Sequence, residues 1–119
     1  MTVIKIRIDF GGDRRIGHGR VELLELIGKH GSIAQAAKAM NMSYKRAWYL
    51  MDEFNSMFSE PLIERHHGGR GGGSAQITPF GAELVRQYRN MEAKSLSMFA
   101  KPLALFERYL ARPKKAARK

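Results

Sequence analysis

Cysteine is absent from the chain, and so are long apolar runs. Without cysteine there are no disulfides and no thiolate metal sites. A membrane-spanning helix needs a run of about 18 apolar residues, and no segment approaches that length. The first ten residues, MTVIKIRIDF, alternate in polarity and lack the continuous apolar centre of a secretion signal. We therefore expect a cytoplasmic protein without a membrane partner.

Acidic residues are scarce. Asp and Glu number 11 against 21 Lys and Arg, which gives a formal net charge of +10 and a sequence pI of about 10.3. This excess of positive charge favours a polyanionic partner, and nucleic acid is the obvious candidate. A chain of 119 residues has room for one domain, which we place at residues 1–111. Residues 112–119 are too charged and too few to fold, and we expect a disordered basic tail there.

The stretch GSIAQAAKAMNMSYKRAWYLMDEF, residues 31–54, predicts a helix-turn-helix over residues 32–58. Ser32 is a good N-cap for the first helix, and Ser43 is a good N-cap for the second. Asn41 between them tolerates the left-handed backbone of a tight turn. Apolar residues recur at helical spacing in both helices: Ile33, Ala36, Ala37 and Met40 in the first, and Ala47, Met51, Phe54 and Phe58 in the second.

The opposite face of the second helix predicts contact with double-stranded DNA. The first turns of such a helix touch base edges and phosphates in the major groove. Lys45 and Arg46 can each neutralise a phosphate or reach guanine, and a tyrosine can bind phosphate or pack on a thymine methyl. Trp48 either contacts DNA or packs against the wing or the first helix. The predicted DNA-binding residues of this helix are Ser43, Tyr44, Lys45, Arg46, Trp48 and Tyr49.

Elements are also predicted on both sides of the helix-turn-helix. Period-two alternation over residues 3–10 predicts a half-buried strand, and residues 17–29 predict a bracing helix. Residues 61–78 predict a wing, with strands at 61–65 and 75–78 joined by the tip HHGGRGGGS. Glycine lets the tip approach the sugar-phosphate wall, and an arginine there suits the minor groove. The predicted DNA contacts of the wing are Arg65, His66, His67 and Arg70.

Residues 79–111 predict helices that form a dimer interface. Thr78 caps the first of them, with Pro79 in its first position, and the helix extends toward Phe99. Pro102 interrupts it, so residues 103–110 are predicted to form a separate helix. A small winged-helix core has little room for these apolar side chains, and a second copy would cover them. The predicted dimerisation residues are Leu96, Phe99, Leu103, Phe106, Tyr109 and Leu110.

Two strings, GSIAQAAKAMNMSYKRAW and PLIERHHGGRGGGSAQITPFG, make residues 17–91 resemble the N-terminal DNA-binding domain of the molybdate-responsive ModE regulators, themselves similar to LysR-type regulators. The resemblance implies a dimeric winged helix on an operator with two-fold symmetry. It places Tyr44, Lys45, Trp48 and Tyr49 on the base-reading face, and Arg65 and Arg70 on the wing. Members of that family add C-terminal molybdate-binding domains, for which this chain has no room, so we do not expect molybdate to bind it.

The expected fold is mainly α with a small β wing: a winged helix-turn-helix with an N-terminal strand and C-terminal dimerisation helices. The expected function is sequence-specific, dimeric binding to an operator as a transcriptional regulator. An architectural, non-specific DNA binder and a winged-helix module for protein interaction are the alternatives. No nucleophile constellation, acid-base pair, phosphate loop or set of metal ligands is visible. We therefore expect no enzyme activity, no cofactor and no metal.

Overall fold

A computed structural model describes residues 1–66 and 74–113 of the chain. The described residues form five helices and two small antiparallel sheets, as expected for a mainly helical chain with a wing. In chain order the elements are β1 Ile8–Gly11, β2 Arg14–Ile16, α1 His18–His30, α2 Ile33–Ala39, α3 Tyr44–Ser56, β3 Ile63–His66, β4 Ser74–Ile77, α4 Pro79–Met98 and α5 Ala100–Arg108.

Helices α1, α2 and α3 pack around one buried cluster. Helix α1 buries its apolar face and ends at Gly31, whose φ of 71° is a left-handed cap and whose N–H donates to the Ile27 carbonyl at 2.7 Å. The tight turn after α2 contains Asn41 with φ 58°, as predicted. The core residues contributed by these three helices are Val21, Leu23, Leu24, Ile27, Ile33, Ala36, Ala37, Ala47, Met51 and Phe54.

Helix α3 is two residues shorter than predicted. It ends at Ser56, so Phe58 lies beyond the helix and packs edge-on against Phe54 and Phe80 instead. Near the end of α3, the Asn55 side-chain oxygen accepts a hydrogen bond from the Leu62 N–H at 2.6 Å. This bond fixes the chain as it leaves α3 toward β3.

The N-terminal strand prediction is wrong in its extent. Only residues 8–11 form β1, which pairs with β2, a strand that was not predicted. Residues 3–7 keep the alternating burial that suggested a strand, with Ile4 and Ile6 half-buried. They lie along α4 instead of pairing with a strand, and the Ile6 carbonyl accepts a hydrogen bond from the Tyr88 hydroxyl.

The wing strands occur where they were predicted, with bounds shifted by one or two residues. β3 pairs with β4 from Ile63 opposite Ile77 to His66 opposite Ser74. The hairpin is joined to the core at its base, because the Ala75 N–H donates to the Gly31 carbonyl at 3.0 Å. Of the predicted wing tip, His66 and Ser74 belong to β3 and β4, and residues 67–73 lie outside the described residues. Residues 114–119 of the predicted tail lie outside them as well.

Helix α4 starts as predicted, whereas α5 does not. The Thr78 hydroxyl accepts the Gly81 N–H at 2.9 Å, and Pro79 occupies the first turn. The second helix was predicted to begin after Pro102, but it begins at Ala100 and ends at Arg108. The break falls at Phe99 (φ −105°, ψ 25°), which places Pro102 in the first turn of α5, where a proline needs no amide donor.

Ion pairs hold α4 against α1, a feature that sequence reasoning missed. Arg89 donates to Glu25 at 2.6 Å and to Glu92 at 2.7 Å, and His18 Nδ1 lies 3.3 Å from Glu92. Hydrogen bonding to Glu25 raises the pKa of Arg89. Burial alone would raise the pKa of Glu92, but the hydrogen bonds from Arg89 and His18 outweigh it and lower that pKa. Both shifts favour the ionised forms of Arg89 and Glu92.

Gly81 gives a direct test of how the wing packs on α4. A Cβ at this position would collide with the Leu62 carbonyl oxygen and come within 2.9 Å of Ile77 Cγ1. We expect Gly81→Ala to lower the free energy of unfolding by about 1–3 kcal/mol, the usual cost of overpacking, as measured by urea denaturation. Gly19→Ala is the matched control, because a Cβ there meets nothing within 4 Å and alanine is the better helix former. Equal stability of the two variants would contradict this packing.

Candidate nucleic-acid interface

Helix α3 is presented outward by capping and by the turn before it. The Ser43 hydroxyl accepts the Arg46 N–H at 3.1 Å, as the Ser32 hydroxyl accepts the Gln35 N–H at the start of α2. The first turn of α3 contains no acidic residue. The positive end of the helix dipole and the Lys45 and Arg46 side chains therefore act together at this end of α3.

The two faces of α3 differ sharply in burial. Ala47, Met51 and Phe54 are at most 2% exposed. Lys45 and Tyr49 lie on the opposite side of the helix at its period of 3.6 residues, and both are exposed, Tyr49 to 63%. Tyr44 is also exposed, whereas acidic residues enter only later in the helix, at Asp52 and Glu53. The outward face of α3 is thus basic and aromatic in its first two turns.

Trp48 lies on one flank of α3 and contacts the wing. It is half-buried, and the Arg65 guanidinium of β3 stands over the indole at 4.8 Å from the ring centroid. This agrees with the alternative in which Trp48 packs against the wing. A cation held over an aromatic face at this distance is an attractive contact, and it ties the wing to α3.

The remaining wing residues are less fully described. Arg65 and His66 are exposed on β3, whereas His67 and Arg70 lie outside the described residues. In residues 1–66 and 74–113 no three side chains of His, Cys, Asp and Glu come together as metal ligands would. None of the helices described there is long and apolar enough to cross a membrane.

The other flank of α3 carries basic residues that were not predicted to belong to the site. Arg46 lines a surface cavity of about 290 Å³ together with Arg7 and Arg15, which lie on either side of the β1–β2 turn. Sequence reasoning missed Arg7 and Arg15 because it placed one long strand over residues 3–10 and no second strand. The adjacent arginines 14 and 15 were the available signal.

The predicted dimerisation residues lie on the last two helices or directly beside them, since Phe99 separates α4 from α5 and Tyr109 and Leu110 follow α5. Leu96 and Leu103 are half-buried, and the others are exposed, Phe106 to 60% and Tyr109 to 77%. Helix α5 has no buried residue. Phe99, Leu103 and Phe106 share one side of this segment at the i, i+4, i+7 spacing. An apolar face of this size lacks a covering within the described chain.

The segment that contains α1, α2, α3 and the wing matches a known protein family. Residues 19–82, from α1 to the first turn of α4, match the family described as bacterial regulatory helix-turn-helix protein, lysR family. The chain belongs to the LysR family of regulatory helix-turn-helix proteins. The predicted winged helix-turn-helix fold and the predicted resemblance to LysR-type regulators are thereby confirmed.

Three relatives resemble this LysR-family chain over much of its length. The molybdenum-pterin-binding protein MopA of Rhodobacter capsulatus is 35% identical over 114 residues, which are 96% of this chain and 42% of MopA. The molybdenum transport protein ModE of Azotobacter vinelandii is 47% identical over 73 residues, 61% of this chain and 27% of ModE. The DNA-binding transcriptional dual regulator ModE of Escherichia coli K12 is 44% identical over 69 residues, 58% of this chain and 26% of that protein.

These relatives confirm the predicted resemblance to ModE proteins. The chain spans less than half the length of each of the three. The resemblance therefore concerns the helix-turn-helix part, and the names of the relatives describe those whole proteins.

Trp48 is the only tryptophan, so its fluorescence reports directly on the contact with Arg65. We expect Arg65→Ala to move the emission to longer wavelength, because the indole loses its cover, and to cost about 0.5–1 kcal/mol of stability. The control is Arg86→Ala, which removes an exposed arginine from α4. An Arg65→Ala protein with the emission of the wild type would show that the guanidinium does not cover Trp48.

Proposed function

We propose that this chain binds operator DNA as a dimer and reads its sequence with α3 in the major groove. The observation that carries the proposal is the outward face of α3: exposed Tyr44, Lys45 and Tyr49 above a helix N-terminus free of acidic residues. Phosphate contacts position such a helix, and base-edge contacts give it specificity. In this proposal Lys45 and Arg46 contact phosphate or guanine, and the two tyrosines contact phosphate or a thymine methyl.

The wing extends the proposed interface. Since Arg65 is exposed on β3 and lies over Trp48 of α3, a backbone phosphate at the edge of the major groove can meet Arg65 while α3 lies in the groove. His66, His67 and Arg70 remain predicted contacts of the wing with the backbone or the minor groove. The E. coli relative is a DNA-binding transcriptional dual regulator, and the resemblance to it supports a DNA partner. That molybdate does not bind this chain stays a prediction.

The apolar face of α4 and α5 supports a two-fold dimer. A second copy would cover the predicted residues Leu96, Phe99, Leu103, Phe106, Tyr109 and Leu110, which are exposed or half-buried. Two-fold symmetry then requires two half-sites about one helical turn apart, roughly 34 Å, or a multiple of it. The operator would therefore be palindromic.

Selection of bound duplexes from a random DNA library tests whether the protein recognises a particular base sequence. We expect a palindromic winner that binds at least tenfold tighter than a scrambled duplex, about 1.4 kcal/mol, as measured by fluorescence anisotropy. Lys45→Ala should reduce this preference by a comparable factor, because it removes a donor from the outward face of α3. Lys94→Ala removes an exposed lysine of α4 and should leave the preference unchanged.

Each alternative outcome has a distinct meaning. Equal and salt-sensitive binding to both duplexes would replace a specific regulator with an architectural DNA binder. Absence of binding at low salt would favour a winged helix that meets an acidic protein. A Lys45→Ala protein with the full preference would remove Lys45 from the base-reading face.

Phe106→Ser tests the dimer. We expect the dimer dissociation constant to rise at least tenfold in analytical ultracentrifugation, because burial of a phenylalanine side chain is worth about 1.5–3 kcal/mol. Arg108→Ser is the control, since Arg108 is an exposed residue on the other side of α5. A Phe106→Ser chain that dimerises like the wild type would place the interface elsewhere.

A further inference from the structure

We propose that Arg7 and Arg15, the hairpin arginines, form a second phosphate-binding surface that holds the DNA backbone on the flank of α3 opposite the wing. The inference rests on the proposed function, because it adds a contact to the same interface. Neither Arg7 nor Arg15 was predicted from the sequence to bind DNA.

The hairpin arginines lie beside the base-reading helix. Arg7 and Arg15 line the same surface cavity as Arg46, the flanking arginine of α3. Apolar side chains of Met40, Met42 and Leu50 also line it. Three guanidinium-bearing side chains, from the hairpin and from α3, therefore share one opening to solvent.

The strand register turns these charges outward. Ile8 faces Ile16 across β1 and β2, and Asp9 faces Arg15. Ile16 is buried in the core, and side chains alternate between the two faces of a strand, so Asp9 and Arg15 share the face directed away from the core. Arg7 joins them, since its Nε lies 3.4 Å from an Asp9 carboxylate oxygen.

The cavity keeps a positive charge after its acidic neighbours are counted. Asp9 can offset one of the hairpin arginines. Arg20, which also lines the cavity, is paired with Glu53 at 3.0 Å, and its side chain is only 11% exposed. Arg7, Arg15 and Arg46 against the single carboxylate of Asp9 leave an excess of two positive charges at the opening. This charge suits a phosphodiester, which arginine binds with charge-assisted hydrogen bonds.

The position of the hairpin matches the second wall of a major groove. Arg46 and Trp48 are two residues apart, and so about 200° apart around the axis of α3. Trp48 contacts the wing through Arg65, whereas Arg46 contacts the cavity of the hairpin arginines. A helix with its side chains is about 10–12 Å across, and the major groove is about 12 Å wide. A helix that fills the groove brings a phosphate wall to each flank.

The start of α1 leaves room for that wall. Gly17 and Gly19 line the same cavity, and a Cβ at either position would meet nothing within 4 Å. Helix α1 has no acidic residue in its first turn. Its dipole therefore adds to the field of the hairpin arginines.

The test compares salt dependence among matched variants on the selected operator and on a scrambled duplex. Each phosphate that is neutralised contributes about −0.9 to the slope of log affinity against log salt. We expect the double variant Arg7→Ala, Arg15→Ala to make the slope shallower by about 1–2 per subunit. Its affinity for the operator and its affinity for the scrambled duplex should fall by the same factor. Lysine at both positions should restore most of the slope, and Asp9→Asn should tighten binding. The control is Arg86→Ala with Lys94→Ala, which removes the same charge from exposed positions of α4.

The outcomes separate this inference from the proposed function. A double alanine variant with the slope of the control would overturn the hairpin surface, while a wild-type preference for the operator would keep the proposed function. If the double variant has a shallower salt slope but the wild type does not prefer the operator to the scrambled duplex, the hairpin surface stands and the proposed reading of sequence is overturned. A wild type that binds no duplex would overturn both. Inorganic phosphate that binds at micromolar concentration, dependent on Arg7 and Arg15, would instead assign the surface to a free anion.

Discussion

The close packing of α2 against α3 is the constraint on which the interface depends. Ala36 and Ala37 from α2 and Ala47 from α3 are all at most 2% exposed in the shared core. Small side chains at these positions let the two helices approach closely, and a larger side chain would push α3 outward or rotate it. The left-handed Asn41 and the Ser43 cap fix the other end of the same geometry. With α3 set in this rotation, Lys45 and Tyr49 can only face outward.

Both flanks of α3 are braced by β-hairpins, but through different forces. The wing contacts α3 through the Arg65 guanidinium on Trp48 and contacts the core through the Ala75 N–H and the Gly31 carbonyl. The N-terminal hairpin contacts the core through Ile16, which is buried. Helix α3 needs such supports, because its outward face contributes nothing to the core and without the hairpins its buried face alone would hold its position.

Features encoded within a few residues could be predicted from the sequence. Three helix caps occur as expected, at Ser32, Ser43 and Thr78, because each hydroxyl binds the amide N–H only three residues further along the chain. The left-handed turn at Asn41 also occurs as expected. The outward face of α3 could also be predicted, because it lies opposite the apolar residues that recur at helical spacing. The contact of Trp48 with the wing could not be predicted in the same way, because its partner Arg65 is 17 positions further along the chain and meets Trp48 only in the folded protein.

Features that depend on distant partners were missed. Residues 3–7 alternate like a strand, yet Ile6 pairs with the hydroxyl of Tyr88, 82 residues away, and so they lie on α4. The same reason hides the ion pairs of Arg89 with Glu25, which are 64 residues apart. Without the real position of β1, the hairpin arginines could not be placed beside α3.

The N-terminal segment joins the two ends of the molecule. The Thr2 hydroxyl donates to Glu107 on α5, and the Ile6 carbonyl accepts from Tyr88 on α4. Directly after these contacts the chain forms β1 and reaches the cavity beside Arg46. A dimer built on α4 and α5 would therefore fix the distance between half-sites with the same helices that anchor the hairpin. The spacing of the operator and the placement of its flanking phosphates would then follow from one packing arrangement.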